Sequence, residues 1–209
     1  KEVNGQQQKV GTVKLERPMA VLSEGIDTSI YKPIKDAGKS DDPFKKKIYD
    51  MIDESFVFLH VGQWGKGKYG EDRKNIAVMI KTFLQAFANQ PSPPALLLKT
   101  NGANFSHLDK SDIIKKIERE KDKFKSADSL PNIYLLHGDL TLEQMALLYN
   151  LPKIKAMLSC THGEGFGRPL AEATCCDLPV VATGWSGQMD FLNSKQSVLI
   201  EGELKPVPK

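Results

Sequence analysis

The residues best suited to chemistry in this chain lie in one stretch, SCTHGEGFGRPLAEATCCDLPVVAT, residues 159–183. An apolar run ends there in a glycine-rich loop, and Pro169 then stands where a helix opens, at the first position, where its missing N–H is no loss. The backbone amides of Gly165, Phe166 and Gly167 therefore fall at or just before a helix N-terminus. Unpaired N–H groups and partial positive charge coincide at such a place, which makes it an anion site. The glycines allow close backbone approach that side chains would prevent. An exposed helix end contributes only about 0.3–1 kcal/mol, so holding a diphosphate calls for a cationic side chain beside it. Two carboxylates frame the loop, Glu164 before it and Glu172 one turn into the helix. Acids beside a phosphate are unfavourable unless they bind hydroxyls, as an acidic residue does for ribose in dinucleotide folds. A pair of them fits a ligand with two sugars flanking a phosphate. The same residues fit a plain helix start with one helpful acid and one solvated glutamate, and pattern alone leaves both open.

A second loop, GQWGKGKYGEDRKN, follows the apolar run 55–61. Gly62 to Lys68 satisfies GxxxxGK, the start of a phosphate-binding P-loop. Tyr69 stands where magnesium binding needs Ser or Thr, and Gly70 to Asp72 delays the helix that should begin there. A flexible, basic, glycine-rich loop near a phosphate is the better reading. Gly184 to Gly187, GWSG, lacks the second glycine of a GxSxG nucleophile elbow. His162 could give a sugar a hydrogen bond, and Trp64 and Trp185 could flank a ligand mouth.

The elements that must position these loops follow from periodicity. Met19 to Leu22 reads as a short strand and Ser55 to Val61 as a buried one. Ile76, Ile80, Phe83, Leu84 and Phe87 recur at helical spacing until Pro91, Pro93 and Pro94 stop the helix. A strand over 95–99 precedes a charged helix capped by Ser111, whose apolar side carries Ile113, Ile114, Ile117 and Phe124. A strand over 132–136, a short helix with Leu142, Met145, Leu148 and Tyr149, a strand over 155–158, a helix over 169–176 and a strand over 179–182 complete the pattern. Strand and helix thus alternate about six times, with near-continuous apolar strands. This predicts an α/β fold, a Rossmann-like parallel sheet with helices on both faces. Ligands in such sheets bind outside the carboxyl ends of the strands, where both loops lie.

Composition narrows the classes. With 209 residues, 40% hydrophobic and 26% charged, the chain has the make-up of an ordinary globular protein. A formal charge of +3 is too small to point to nucleic acid. The lysine clusters Lys45 to Lys47 and Lys115-Lys116 interleave with acids and read as solvated helix faces. No segment is apolar over the 18 or so residues of a membrane span. His60, His107, His137 and His162 lack ligand spacing, and Cys160, Cys175 and Cys176 form no CxxC, so no metal is expected. Three reduced, mostly buried thiols fit a reducing, cytoplasmic compartment.

The Glu164–Glu172 segment, EGFGRPLAEA, resembles the E-x7-E motif of GT-B glycosyltransferases of the retaining, family-4 (group 1) type. SEGIDTSIYKP is similar to that family's entry to the donor domain, FLHVGQWGKGKYGEDRKNIAVMIKTFLQAF to its "VGR…KG…LI.AF" segment, and LLHGDLTLEQMALLYN to a further stretch, all in family order over about residues 19–190. The resemblance implies one half of a GT-B fold: a linker or remnant over 1–16, and a nucleotide-sugar donor domain over 17–209 cut short at its C-terminal end. It implies that an unknown acceptor binds on a separate N-terminal domain, and that this chain alone is inactive. Glu164 would then contact the donor sugar and assist the reacting centre, and Glu172 would hold ribose hydroxyls. Gly165, Phe166 and Gly167 would offer amides to the sugar and diphosphate, and Lys74 would bind phosphate. Leu140 lies where a backbone group reads the nucleobase. Gln63 replaces the family's usual arginine, removing one diphosphate contact for which Arg73 or Lys66 could substitute. After the last strand, TGWSGQMD departs from the family's Gly-Gly and Glu, giving Gly187 and Asp190. The implied reaction is retaining glycosyl transfer from an NDP-sugar, without metal or other cofactor. The alternatives are a nucleotide-sugar binding module without turnover and a P-loop-type nucleotide-binding protein.

Overall fold

The computed structural model describes residues 2–3, 6–7, 16–39, 41–65 and 72–203. Strands β1 (Glu2–Val3) and β2 (Gln6–Gln7) form a two-residue antiparallel pair. The rest of the expected linker up to residue 15, and the Lys66–Lys68 part of the GxxxxGK match, lie outside the described residues. The sheet that organises the chain has six strands: β3 (Val57–Val61), β4 (Ala95–Lys99), β5 (Ile133–Leu135), β6 (Ile154–Ser159), β7 (Val180–Thr183) and β8 (Ser197–Ile200). Their order is β5-β4-β3-β6-β7-β8 and every pairing is parallel. Counted along the chain this is third, second, first, fourth, fifth, sixth, the Rossmann arrangement.

Alternation along the strands sorts side chains onto two faces. Val57 and Leu59 of β3 join Leu97, Met157, Val180 and Ala182 in one apolar cluster, closed over by helices α1 (Pro43–Met51), α4 (Leu142–Asn150) and α5 (Arg168–Cys175). Phe58 of β3 joins Leu96, Leu98, Ile133 and Leu158 in the other, covered by α2 (Ile76–Phe87) and α3 (His107–Lys121). All five residues of β4, AlaLeuLeuLeuLys, are buried because helices cover both sides. The expected α/β class, parallel sheet and two-sided helix cover are what the chain folds into.

Local sequence sets most helix starts. Asp42 accepts the Phe44 N–H at 2.7 Å and Pro43 opens α1. Thr141 and Gln144 form a reciprocal capping box on α4, at 3.2 and 3.1 Å. The helix expected to be capped by Ser111 starts a turn earlier: the cap is Ser106, whose hydroxyl accepts the Asp109 N–H at 3.2 Å. Ser111 is an exposed residue inside α3, and Ile114, placed on the apolar side by the sequence, faces solvent. The strand expected at 19–22 does not form. The sheet's edges are β5 and β8, no strand pairs with 19–22 among the described residues, and Val21 and Leu22 are 95% and 96% exposed.

Candidate functional site at the carboxyl edge of the sheet

The order of the sheet reverses between β3 and β6: from β3 the chain builds outward through β4, and from β6 in the opposite direction. The crevice beside such a switch point is where α/β sheets take ligands. The loops leaving these two strands meet there. Lys74, at the end of the β3 loop, donates through Nζ to Glu164 Oε1 at 2.6 Å. Arg73 Nη1 donates to Glu164 Oε2 and to the Gly163 carbonyl, each at 2.8 Å. The backbones are stitched as well: the His162 N–H and the Thr161 hydroxyl both donate to the Arg73 carbonyl, at 2.8 and 3.1 Å.

Asp72 makes that placement possible. Buried at the start of α2, its carboxylate accepts the N–H of Lys74 at 3.0 Å and of Ile76 at 3.1 Å. It therefore serves one orphan donor of the helix, the Ile76 N–H, and fixes the Lys74 backbone just before the cap, while Asn75 turns the chain through a left-handed φ of 54°. The Glu164 carboxyl is pushed up by burial, but the hydrogen bonds and charges of Lys74 and Arg73 outweigh this and hold it below the ordinary glutamate value. Glu164 is an anion at neutral pH, unsuited to donating a proton.

The glycine-rich loop is braced from the far side by the loop after β7. Ser186 Oγ donates to the Glu164 carbonyl at 2.7 Å and accepts the Glu164 N–H at 3.2 Å, and the Gly187 N–H reaches the same carbonyl at 3.0 Å. Ser186 holds a left-handed φ of 77° to do this. The two backbones come so close that a Cβ on Gly187 would lie 2.0 Å from the Gly165 oxygen. Phe166 packs on Phe191, ring centroids 5.1 Å apart. Helix α5 begins after Gly167, at φ 89° and with no side-chain cap; Pro169 is its second residue, one later than the sequence placed it. Among the described residues nothing accepts a hydrogen bond from the amides of Gly165, Phe166 or Gly167. Of the residues singled out in the sequence, Lys74, Glu164 and these three amides are brought together.

The others are placed differently. Glu172 is buried on α5, its Oε2 accepting from Tyr149 Oη at 3.0 Å and its Oε1 from Arg168 Nε at 3.0 Å. Gln63 donates through its side-chain amide to the Gly102 carbonyl in the loop after β4. The Leu140 N–H, after β5, is taken by Asp139 Oδ1 at 3.1 Å. Trp64 does not flank a ligand mouth: it is 3% exposed, packed in the α2–α3 cluster with Lys116 Nζ 5.5 Å from its ring centre. Trp185 is half exposed. The three cysteines are free thiols. Among the described residues no three His, Cys, Asp or Glu side chains group to hold a metal, and no helix is long and apolar enough to cross a membrane.

His60 is a feature the sequence did not single out. It sits wholly buried in the central strand, with Nδ1 2.9 Å from the Leu158 carbonyl. The carbonyl can only accept, so Nδ1 carries the proton and Nε2 is a bare acceptor with no partner among the described residues. Burial above all, with the Lys74 charge adding to it, pushes the imidazole down to about 4, so it is neutral at pH 7. Gly62 keeps this region tight, since a Cβ there would meet His60 Nε2 at 3.1 Å and the Lys74 stem at 3.3 Å. A lone histidine in an apolar strand carries no local signal for this.

Solved structures identify the architecture. The C-terminal domain of a group 1 glycosyl transferase, LpcC, from Francisella tularensis is similar with a TM-score of 0.55, at 14% identity, over 85% of this chain and 80% of that one. The fold is that of a GT-B C-terminal domain. The GT-B likeness extends to HepE from Anabaena, a structure with UDP and glucose, at TM-score 0.54 and 18% identity over 85% of this chain and 41% of that one. Sucrose-phosphate synthase from Thermosynechococcus elongatus gives 0.55 and 18% identity over 85% and 38%. The chain thus spans most of an isolated GT-B domain and about two-fifths of the longer enzymes. No protein-family model and no curated protein matches the sequence.

Proposed function

We propose that this chain is the donor-binding half of a retaining glycosyltransferase, holding the diphosphate of an NDP-sugar at the α5 N-terminus. The observation that carries the reading is the meeting of three amides, Gly165 to Gly167, which have no acceptor among the described residues, with the Lys74–Arg73–Glu164 cluster at the switch point of the sheet. Amides at a helix N-terminus favour an anion, and Lys74 and Arg73 supply the charge that a helix end alone lacks.

The Lys74–Glu164 pair has the polarity that glycosyl transfer requires. As the bond between the anomeric carbon and the diphosphate breaks, the sugar becomes positive and the leaving oxygen negative. Lys74 and the amides face the departing phosphate, and the Glu164 carboxylate faces the sugar. Preorganised charges of this kind stabilise a transition state without reorganisation. Two cationic side chains and a helix end make a metal unnecessary to this reading. Arg73 takes the place of the arginine that Gln63 does not provide. Glu172 becomes available to ribose hydroxyls when Arg168, which lies over its outer oxygen, swings aside. The acceptor belongs to a separate domain, and the free thiols suit a cytoplasmic setting.

The test is calorimetric titration with UDP, GDP and ADP, each with and without magnesium, on the chain and on Lys74→Met. HepE's structure with UDP makes UDP the first choice. The reading expects one diphosphate to bind without metal and Lys74→Met to weaken it about tenfold or more. Magnesium-dependent binding indifferent to Lys74 would favour the Gly62–Lys68 loop instead.

A further inference from the structure

The opposite, amino-terminal edge of the sheet holds a cavity of about 690 Å³ that the proposed donor site does not use. It opens where β3, β4 and β5 begin, beside Phe56, Phe58, Phe87, Pro93 and Pro94. The aromatic rings form a connected series. Phe83 lies 5.1 Å from Phe87, Phe87 6.0 Å from Phe58, and Phe58 5.1 Å from Phe56, which is 44% exposed at the mouth. Core packing holds the inner rings, so the outer one presents an aromatic face on a fixed support.

The polar part of the lining carries two acids, Asp53 and Glu54, beside the neutral Ser55, Ser92 and Asn132. Glu54 is held in place across the sheet, its Oε1 accepting from Asn132 Nδ2 at 2.8 Å and its Oε2 from Tyr134 Oη at 3.0 Å. Asp53 stands beside it. No basic side chain lines the cavity among the described residues. Lys153, bonded to the neighbouring Ile52 carbonyl, turns onto the Tyr49 ring instead, its Nζ 4.6 Å from the ring centre. Neither carboxylate has a cation partner among the described residues.

We infer that this cavity binds an organic cation with an apolar body, its charge set between the Phe56 ring and the Asp53–Glu54 carboxylates. Aromatic faces attract cations through their quadrupole, and do so more strongly where water is displaced. The volume lies within the range of small-molecule sites, roughly 300–1,000 Å³. The inference is independent of the donor-site reading, because the two sites occupy opposite ends of the strands.

Choline and its uncharged isostere 3,3-dimethyl-1-butanol separate charge recognition from shape. Each is titrated into the labelled chain while the amide signals of residues 53–58, 87 and 92 are followed. Saturable choline binding in the millimolar range is expected, with the alcohol at least about fivefold weaker. Phe56→Leu keeps an apolar side chain but removes the π face, and should weaken choline about fivefold. Asp53→Asn, on an exposed residue, should weaken it about two- to threefold and leave the alcohol unchanged. Adding UDP should leave choline affinity as it was. Equal affinity for the two probes, insensitivity to Phe56→Leu, or no saturable shift at these residues would overturn the inference.

Discussion

Replacing His60 by glutamine should remove a pH dependence of stability that the buried imidazole imposes. The folded protein keeps His60 neutral down to about 4, against an ordinary value of 6.5. Below pH 6.5 the unfolded chain therefore binds a proton that the folded chain refuses. Stability must fall as pH drops through that window and level off below 4. Linkage over a gap of 2.5 pH units gives about 2.5 kcal/mol lost between pH 7.5 and 4.5, and little change above pH 7. Urea unfolding at half-unit pH steps, followed by far-UV circular dichroism, measures it. Glutamine keeps an amide donor for the Leu158 carbonyl and has no charge to gain. Its absolute stability will be lower, but the difference between wild type and variant should shrink by about 2.5 kcal/mol from pH 7.5 to 4.5. Parallel wild-type and His60→Gln curves across the window would refute the reasoning.

Four further outcomes follow from the packing and capping of the chain. Gly187→Ala places a methyl 2.0 Å from the Gly165 oxygen, so the brace on the glycine-rich loop must shift. Thermal unfolding should show a loss of about 1–3 kcal/mol. Gly165→Ala meets nothing within 4 Å and should unfold like wild type. Tyr149→Phe leaves the buried Glu172 Oε2 without its donor and should lower stability by about 1–3 kcal/mol in urea titrations. Thr141→Ala breaks the capping box of α4 and should cost about 1 kcal/mol in the same assay.

The sheet was legible because its strands are buried on both faces and so read as unbroken apolar runs. Two elements fall outside that logic. Strand β8, SerValLeuIle, lies at an edge with no fully buried residue, and α1 commits only Phe44 and Ile48 to the core among lysines. Met19 to Leu22 fails in the opposite sense: it has strand composition but no ladder to join. At the site, Gly165 to Gly167, Glu164 and Lys74 stood out because glycine spacing and charge are written in the chain. The work of Asp72, Ser186 and His60 was hidden. Each acts through a partner distant in sequence or through a backbone twist, as Ser186 bonds Glu164 and His60 bonds Leu158. The helix-start signal at Pro169 likewise pointed to the three amides before α5 but not to the Arg168 and Tyr149 contacts that now occupy Glu172.

The claim at the centre of this account is that the α5 amides receive a diphosphate. It is tested most directly by following the backbone amide signals of Gly165, Phe166 and Gly167 while UDP is added to the isotope-labelled chain, with uridine as the control. Large saturating shifts are expected at these three residues and in Lys74 with UDP, and small ones with uridine. UDP shifts that bypass residues 165–167, or equal shifts with uridine, would contradict it.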